Sequence, residues 1–593
     1  MKDLFDYPYD SRMLRRKRLA IRGELLRQEN LLDKRVAILG GSTTHDIRDM
    51  LELFLLKQGI RAEFYESEYA QYWQDVMFDN PDFVDFNPDV VFIHTTSRNI
   101  AAWPDAGSTR EEADALLEEA YGHLEVMWEK LAARKCTVIQ NNFEYPAWRL
   151  LGNRDASDYR GRVNFVTRLN LRLYDYAAAH GSFHINDINW QSADFGLARW
   201  SDPFYWHMYK YALCLDAIPT LAANVANIIK ALYGKNKKAL ALDLDNTMWG
   251  GVIGDDGVDG IEIGQETAMG QVYAEFQGYL KALKKQGVLL NVISKNDPEN
   301  ALAGLNHPAS VLRPEDFISI KANWEPKSEN LRQMAEELSL TPDAFVFVDD
   351  NPAEREIIRQ GFGGGGVPEL DRPEGYITQI DRGGYFEVVG LSADDIKRSE
   401  MYRENARRAQ QRAAFVDYGD YLRSLEMQAE IAPFAPVYYQ RITQLTNKSN
   451  QFNLTTKRCT QEEIEAMAAG DDYITLYGRL KDRFGDNGVV SLVAGRVDGD
   501  RLDIELWLMS CRVLKRDMEC AMLDALVAAC RARGVRTIVG HYYPTPKNGM
   551  VREFYAQQGF EKLSEDAEGN TAWRLDTEGY QNKNSVIAVA RNE

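Results

Sequence analysis

The run Ala239-Leu-Ala-Leu-Asp243-Leu-Asp245-Asn-Thr247 closes an apolar stretch with two aspartates one residue apart, and a glycine-rich turn follows. Side chains alternate faces along a strand, so Asp243 and Asp245 reach one site only where the strand ends and the backbone turns. Paired carboxylates at the carboxyl end of a parallel strand suit a hard, oxygen-ligated cation such as Mg2+, with a phosphoryl group held against it. Alone, such a pair is more often a solvated acidic turn. Three further segments change that reading.

Gly287-Val-Leu-Leu-Asn-Val-Ile293-Ser294-Lys295-Asn296 is a second apolar strand pattern, ending in a hydroxyl, a cation and an amide that suit phosphate oxygens. Lys327, in Asn323-Trp324-Glu-Pro-Lys327-Ser328, is a point charge able to neutralise a phosphate. Ala344-Phe-Val-Phe-Val348-Asp349-Asp350-Asn351-Pro352 is a third strand pattern ending in paired acids, where Pro352 stops the ladder and favours a turn. Phosphoryl transfer needs an in-line nucleophile and charge neutralisation around the equatorial oxygens. These residue types supply both.

The order strand-DxD, strand-Ser, Lys, strand-DD resembles that of the haloacid dehalogenase (HAD) phosphatase superfamily. The resemblance implies that Asp243 attacks to form an aspartyl-phosphate, and that Asp245 protonates the leaving group and then activates water. Ser294 and Lys327, with Lys295 and Asn296, are expected to hold substrate oxygens. The expected Mg2+ set is Asp243, Asp245, Asp349 and Asp350, with Asp350 preferred over Asp349 as the direct contact. Thr247 joins the substrate side or fixes the loop as an N-cap-like hydroxyl.

The 593 residues are enough for three or four domains. A net charge of -19 and a pI near 5.1 oppose polyanion binding, and no basic stretch rescues a nucleic-acid role. The six cysteines contain no C-x-x-C and follow no zinc spacing, so reduced thiols are expected. The charged amino terminus (Arg12, Arg15, Arg16, Lys17, Arg18) lacks an apolar signal core. No stretch approaches the ~18 continuous apolar residues of a membrane span. The expectation is a soluble cytoplasmic enzyme.

The elements that must position these residues fall into an α/β multidomain chain. Residues 1–232 alternate strands (Arg35–Leu39, Val90–His94, Thr137–Gln140, Phe183–Ile188) with helices such as Glu111–Ala133 and Asn164–Ala179, which predicts a parallel sheet covered on both faces. Gly40-Gly41-Ser42-Thr43 at the first strand end resembles the serine turn of SGNH esterases, a flavodoxin-like α/β/α fold. The expected Asp-x-x-His pair is absent, since Tyr205 follows Asp202 and His207 lies two residues further on. A non-catalytic SGNH-like domain is expected. Residues 233–378 form the HAD module, whose short inserts leave no room for a cap domain. After the glycine cluster Gly363–Gly366 comes a solvated helical connector, 379–425. Residues 426–593 read as helices Gln440–Asn450 and Thr460–Ala469, strands Tyr473–Leu480, Gly488–Val497 and Arg501–Ser510, helix Met518–Arg533, strand Arg536–Tyr543 and helix Met550–Gly559. That order resembles the GNAT acyltransferase fold, which holds a pantetheine pyrophosphate at the splay after its fourth strand. Lys515 and Asp517 stand where that cradle has glycines, which disfavours acetyl-CoA more than the single phosphate of a carrier-bound phosphopantetheine arm.

From about residue 237 onward the chain resembles FkbH-like proteins, HAD subfamily IIIC with a GNAT-like carboxyl domain. The matching strings are Leu242-Asp-Leu-Asp-Asn-Thr-Met-Trp249-Gly-Gly-Val-Ile-Gly254, Ser294-Lys-Asn296, Asn323-Trp324 with Lys327, Val348-Asp-Asp-Asn-Pro352, Gln444 to Thr456, Asp482 to Asp486, Ser510-Cys-Arg512 and Pro544-Thr545 with Lys547-Asn548. The resemblance implies removal of phosphate from a 1,3-bisphosphoglycerate-like acyl donor and delivery of the glyceryl unit to an acyl carrier protein, for polyketide or surface-polysaccharide assembly. Cys511 is the thiol expected to capture the acyl group, with Arg512 and Lys515 nearby to lower its pKa; a buried core cysteine is the alternative. His541 is the candidate base, with a packed histidine as its alternative. Asn447, Asn450 and Asn453 offer amides to the carrier arm or the glyceryl hydroxyls. Two other readings stay open: a sugar or carrier-bound acyl phosphatase fused to an acyltransferase-like domain, and a carrier-binding scaffold.

Overall fold

The structure, a computed structural model, describes residues 4–362, 366–412 and 415–590. Three residues of the predicted glycine cluster, 363–365, lie outside them. The described residues up to Leu232, with Glu387–Gly390, form one compact unit. Tyr233–Phe386 and the residues from Leu391 onward form the other.

In the first unit, β1 (Leu32–Gly40), β2 (Ile60–Glu66), β3 (Val90–His94), β4 (Thr137–Asn141) and β5 (Phe183–Asn186) make a parallel sheet in the order β2-β1-β3-β4-β5. Both faces are covered, so β3 and β4 are buried along their whole lengths. On one face Leu39, Ile93 and Val138 meet Leu117, Leu124 and Trp128 of the helix Arg110–Ala133. Strand β2 is not legible in the sequence because it is an edge strand whose charged residues face outward. The predicted strand Phe183–Ile188 stops at Asn186, because the Asp187 carboxylate accepts from Trp190 N and starts a helix.

In the second unit, β6 (Ala239–Leu242), β7 (Leu289–Ser294), β8 (Ser319–Ala322) and β9 (Phe345–Val348) form a parallel sheet in the order β8-β7-β6-β9. Strand β6 therefore lies between β7 and β9, and the three motif-bearing strand ends are neighbours. The segment after β6 folds into a short flap: Trp249 is fully buried, Gly250 bridges to Glu262, and Gly251 takes φ +92. No cap interrupts the module.

The third sheet runs β16-β17-β15-β14-β13-β12-β10-β18, built from β10 (Gln428–Ala432), β12 (Tyr473–Asp482), β13 (Gly485–Asp498), β14 (Arg501–Met509), β15 (Thr537–Tyr542), β16 (Glu561–Glu565), β17 (Thr571–Asp576) and β18 (Ala588–Ala590). Strands β14 and β15 are parallel and paired only at Arg501–Asp503 with Thr537–Val539, beyond which they part. That splay, followed by the helix Met518–Ala532, is the GNAT-like arrangement. The fold class is thus the predicted one: an SGNH/flavodoxin-like α/β/α domain, a capless HAD domain and a GNAT-like α+β domain.

The expectation of a solvated connector is corrected. On the helix Arg398–Arg412, Met401, Tyr402 and Arg408 are buried. Tyr402 joins a core cluster with Ala239 and Phe345, and Arg408 forms an ion pair with the fully buried Asp482 carboxylate at 2.7 Å. A helix rich in arginine packs here because its buried guanidinium, that of Arg408, finds a carboxylate. No helix among the described residues is long and apolar enough to cross a membrane.

Candidate active site

Asp243 continues β6, its backbone N–H donating to Val348 O of the neighbouring strand at 2.9 Å. Its Oδ2 lies 2.9 Å from Lys327 Nζ, while its Oδ1 is buried with no hydrogen-bond partner. Lys327 opens the helix Lys327–Glu337 and is almost wholly buried; it also donates to Asp349 Oδ2 at 2.6 Å. Asp349 is fully buried, its other oxygen accepting from Asn351 N at 2.9 Å. Burial, and then the Asp243 charge, push the Asp349 carboxyl up to about 6. The same two causes raise Asp350.

Asp243, Asp349 and Asp350 offer three carboxylate oxygens within 4.8 Å of one another. One ammonium cannot neutralise three clustered carboxylates, and an unpartnered buried oxygen is costly. The donor set, all oxygen and anionic, fits a hard divalent cation. No side chain among the described residues donates to the Asp350 carboxylate, whereas both Asp349 oxygens are engaged.

Asp245 is corrected as a carboxylate ligand of that cluster. Its Oδ1 accepts from Trp249 Nε1 at 3.0 Å and Ile253 N at 3.1 Å, and its Oδ2 from Asn296 Nδ2 at 3.1 Å. Asn246, in the left-handed region at φ +52, turns the chain so that the flap holds Asp245 on its own side of Asp243. Burial raises its pKa, which suits a proton donor. Thr247 is fully buried and accepts from Asp350 N at 3.2 Å, so it fixes the acidic turn to the DxD loop. Ser294 ends β7 and is buried. Lys295 is exposed and paired with Glu354 at 2.6 Å.

Two contributors are not read from the sequence. Arg355 is buried on the helix Pro352–Gly361 and donates from one terminal nitrogen to the carbonyls of both Asp349 and Asp350, at 2.8 Å each. Its other nitrogen reaches Glu369 at 3.1 Å. Asn323 and Asn330 exchange side-chain amide bonds at 2.8 and 3.1 Å, which sets the loop leading into Lys327. An i+6 arginine reaching back to a strand end carries no local signal.

The GNAT-like residues are placed otherwise than expected. A short strand, β11 (Phe452–Asn453), pairs antiparallel with Met509 and Leu508 at the end of β14. Leu454 N donates to Trp507 O at 3.0 Å, and Tyr543 N donates to Leu454 O at 2.9 Å. The chain's own segment therefore fills the wedge expected to receive a pantetheine arm. Asn447 donates to Thr443 O and Cys459 O, Asn450 accepts from Arg458, and Asn453 donates to Ser449 O and accepts from Thr456 N. Most of these amide groups close the segment's own turns, while Asn447 Oδ1 is buried without a partner. Arg512 is buried, donating to Ser510 Oγ and meeting Met401.

Cys511 lies 3.8 Å from the Tyr402 hydroxyl and close enough to Lys238 for charge interaction. Lys238 precedes β6 and Asp243 follows it, so the lysine that the thiol faces stands at the amino end of β6, roughly 17 Å along the strand from Asp243. His541 Nε2 lies 3.5 Å from Asp503 Oδ1 and its ring stacks on Tyr543. Asp503 and Cys511 bracket most of β14, roughly 20 Å or more apart, so the structure does not bring His541 to the thiol.

Residues 35–230 match the family model described as FkbH, N-terminal domain. A crystal structure of the N-terminal part of the protein BF1531 from Bacteroides fragilis, containing a phosphatase domain complexed with Mg, is similar at 28% identity and TM-score 0.59, covering 63% of this chain and 99% of that one. The ribosomal-protein-S18-alanine N-acetyltransferase of Escherichia coli (12% identity, 25% of this chain, 94% of that one) and the GNAT domain of S. lividans PAT (13%, 25% and 89%) each align with TM-score 0.21. No curated protein matches. The family model and the BF1531 structure bear out the resemblance to FkbH-like proteins.

Proposed function

We propose that this FkbH-like chain is a Mg2+-dependent HAD phosphatase that works through an aspartyl-phosphate on Asp243. The carrying observation is the unpartnered Oδ1 of Asp243 beside Lys327 and two further carboxylates. Asp243 and Asp350 would hold Mg2+ directly, which when bound supplies charge neutralisation for the phosphoryl oxygens. Asp243 attacks phosphorus, the bond to the leaving oxygen breaks, and that oxygen takes the Asp245 proton. Water then attacks the phosphorus of the aspartyl-phosphate and gives its proton to Asp245, releasing phosphate. Ser294 and Lys327 hold the equatorial oxygens. With no cap, water exclusion falls to a bulky substrate.

The finer reading is a phosphorylated three-carbon acyl donor whose glyceryl unit passes to an acyl carrier protein in cytoplasmic biosynthesis. The motif strings and the FkbH N-terminal match support it. In that step the Cys511 thiolate attacks the acyl carbon, the C–O bond to phosphate breaks, and phosphate leaves with both electrons. The wedge filled by β11 favours a second reading, in which the C-terminal domain binds a carrier protein without receiving its arm in that wedge.

The test separates the two chemistries. Asp243→Asn should lower phosphate release by at least a thousandfold while the fold is unchanged; a loss of about threefold would sink the nucleophile assignment. Cys511→Ser should abolish an acyl adduct seen by intact-protein mass spectrometry and block carrier loading, with phosphate release retained. Wild-type loading by Cys511→Ser would make the thiol structural and direct transfer from the acyl phosphate the better account.

A further inference from the structure

The N-terminal unit contains a cavity that the chemistry at Asp243 does not use. It opens at the carboxyl ends of β3 and β4, where doubly wound sheets take their ligands, and measures about 130 Å³. Leu124, Phe143 and Leu169 form its floor, exposed by 4%, 3% and 0%. Tyr72, only 8% exposed, lines the wall, and its hydroxyl makes no hydrogen bond to any described residue. That hydroxyl is free to meet a ligand or water in the chamber. At the mouth stand His123, stacked on Trp73 at 5.0 Å between ring centres, and Glu119.

Ser42 does not line this cavity and is itself 2% exposed. Its size sets the ligand. An apolar protein cavity of about 150 Å³ takes a benzene molecule, so this one takes about six heavy atoms. Its polarity sets the chemistry. Of the other polar lining residues, Thr95 accepts from Gln140 and the Asn99 amide serves Gly41 O and Thr96 N. Beyond the mouth the Tyr72 hydroxyl is therefore the donor without a partner, and the Glu119 carboxylate disfavours an anion. We propose that the cavity is a binding site for a short neutral acyl group of about four carbons, its chain on the Leu124–Phe143–Leu169 floor and its carbonyl accepting from the Tyr72 hydroxyl.

The experiment titrates the full-length chain with straight-chain primary amides from acetamide to hexanamide, following ligand signals by NMR. Affinity should rise about fourfold per methylene up to butyramide or pentanamide and then fall as the chamber fills. Tyr72→Phe should weaken every amide about tenfold while keeping that optimum, and Ala120→Trp, which fills the mouth, should abolish binding with phosphate release unchanged. Absence of binding to the wild-type chain overturns the proposal. So does affinity that keeps rising through hexanamide, or that survives Ala120→Trp. Should Ala120→Trp not fold, an unchanged affinity in Tyr72→Phe overturns the assignment equally.

Discussion

Arg355 shows how much of the phosphatase chemistry depends on a side chain that no motif announces. One terminal nitrogen holds the carbonyls of Asp349 and Asp350 together, and Glu369 anchors the other. Substituting Arg355→Met should therefore weaken Mg2+ binding at least tenfold by calorimetry, as loss of outer-shell support commonly does, with Arg355→Lys intermediate. Unchanged Mg2+ affinity in Arg355→Met would remove its positioning role. A second residue-scale prediction concerns Glu144 of the N-terminal unit, where burial lifts the carboxyl to about 7 although Ser97 donates to both of its oxygens. A carboxyl raised in the folded state binds its proton more tightly there, so its contribution is fully present below about 4.5 and is lost as pH rises through 7. Buried His94, lowered to about 4, acts oppositely: its contribution is lost as pH falls from about 6.5 to 4. Between pH 6.5 and 7.5 the Glu144 carboxyl is on slope, and Glu144→Gln should remove its share of the fall in Tm there. A slope unchanged by Glu144→Gln would show that the carboxyl titrates normally.

At the scale of elements, β11 is the unexpected one. Two residues form a strand because the parting of β14 and β15 leaves facing backbone groups that must be satisfied. Asn548, fully buried, locks the segment by donating to Asn453 O and Tyr543 O and accepting from Thr545 N. Asn548→Ala leaves several of these groups unpaired and should destabilise the second unit by about 3 kcal/mol. Amide exchange at Leu454 and Tyr543 should be as slow as in β14 of the wild-type chain and accelerate in the variant. Fast exchange at Leu454 in the wild type would mean that the wedge opens freely.

At the scale of the molecule, the HAD and GNAT-like domains fall within one compact unit joined by the connector helix. A Cβ on Gly287 would meet Asp395 O at 2.0 Å, and one on Gly234 would meet Asn447 O at 2.0 Å, both at positive φ. Lys547 pairs with Asp343 at 2.8 Å, and Arg398 donates to Gly287 O at 3.1 Å. Residues 233–590 should therefore unfold in a single calorimetric transition, and Gly287→Ala should lower it as a whole. Separate HAD and C-terminal transitions, with only one of them shifted, would refute that coupling. The arrangement also bears on acyl transfer: Cys511 faces Lys238 at the amino end of β6 and Asp243 stands at its carboxyl end, so an intermediate shared by the two would have to travel between them.

The sequence by itself determined the parts whose signal is local. Apolar strands ending in acids, a hydroxyl and a lysine at set intervals named Asp243, Asp245, Ser294, Lys327 and the Asp349–Asp350 pair, because a strand end fixes where the next two residues point. The order of helices and strands, by its resemblance to known folds, likewise pointed to the three domains, and the short inserts to the absent cap. Tertiary structure alone decided which carboxylates share a cluster: the flap gave Asp245 to Trp249 and Asn296, and Thr247 to the turn at Asp350. It also decided that most of the amide groups of Asn447, Asn450 and Asn453 serve their own turns, that Arg408 of the connector is buried, and that β11 fills the wedge. Each is a hydrogen-bond or burial choice among partners distant in sequence, and a polar residue's type states what bonds it can make but not which partner the fold will bring.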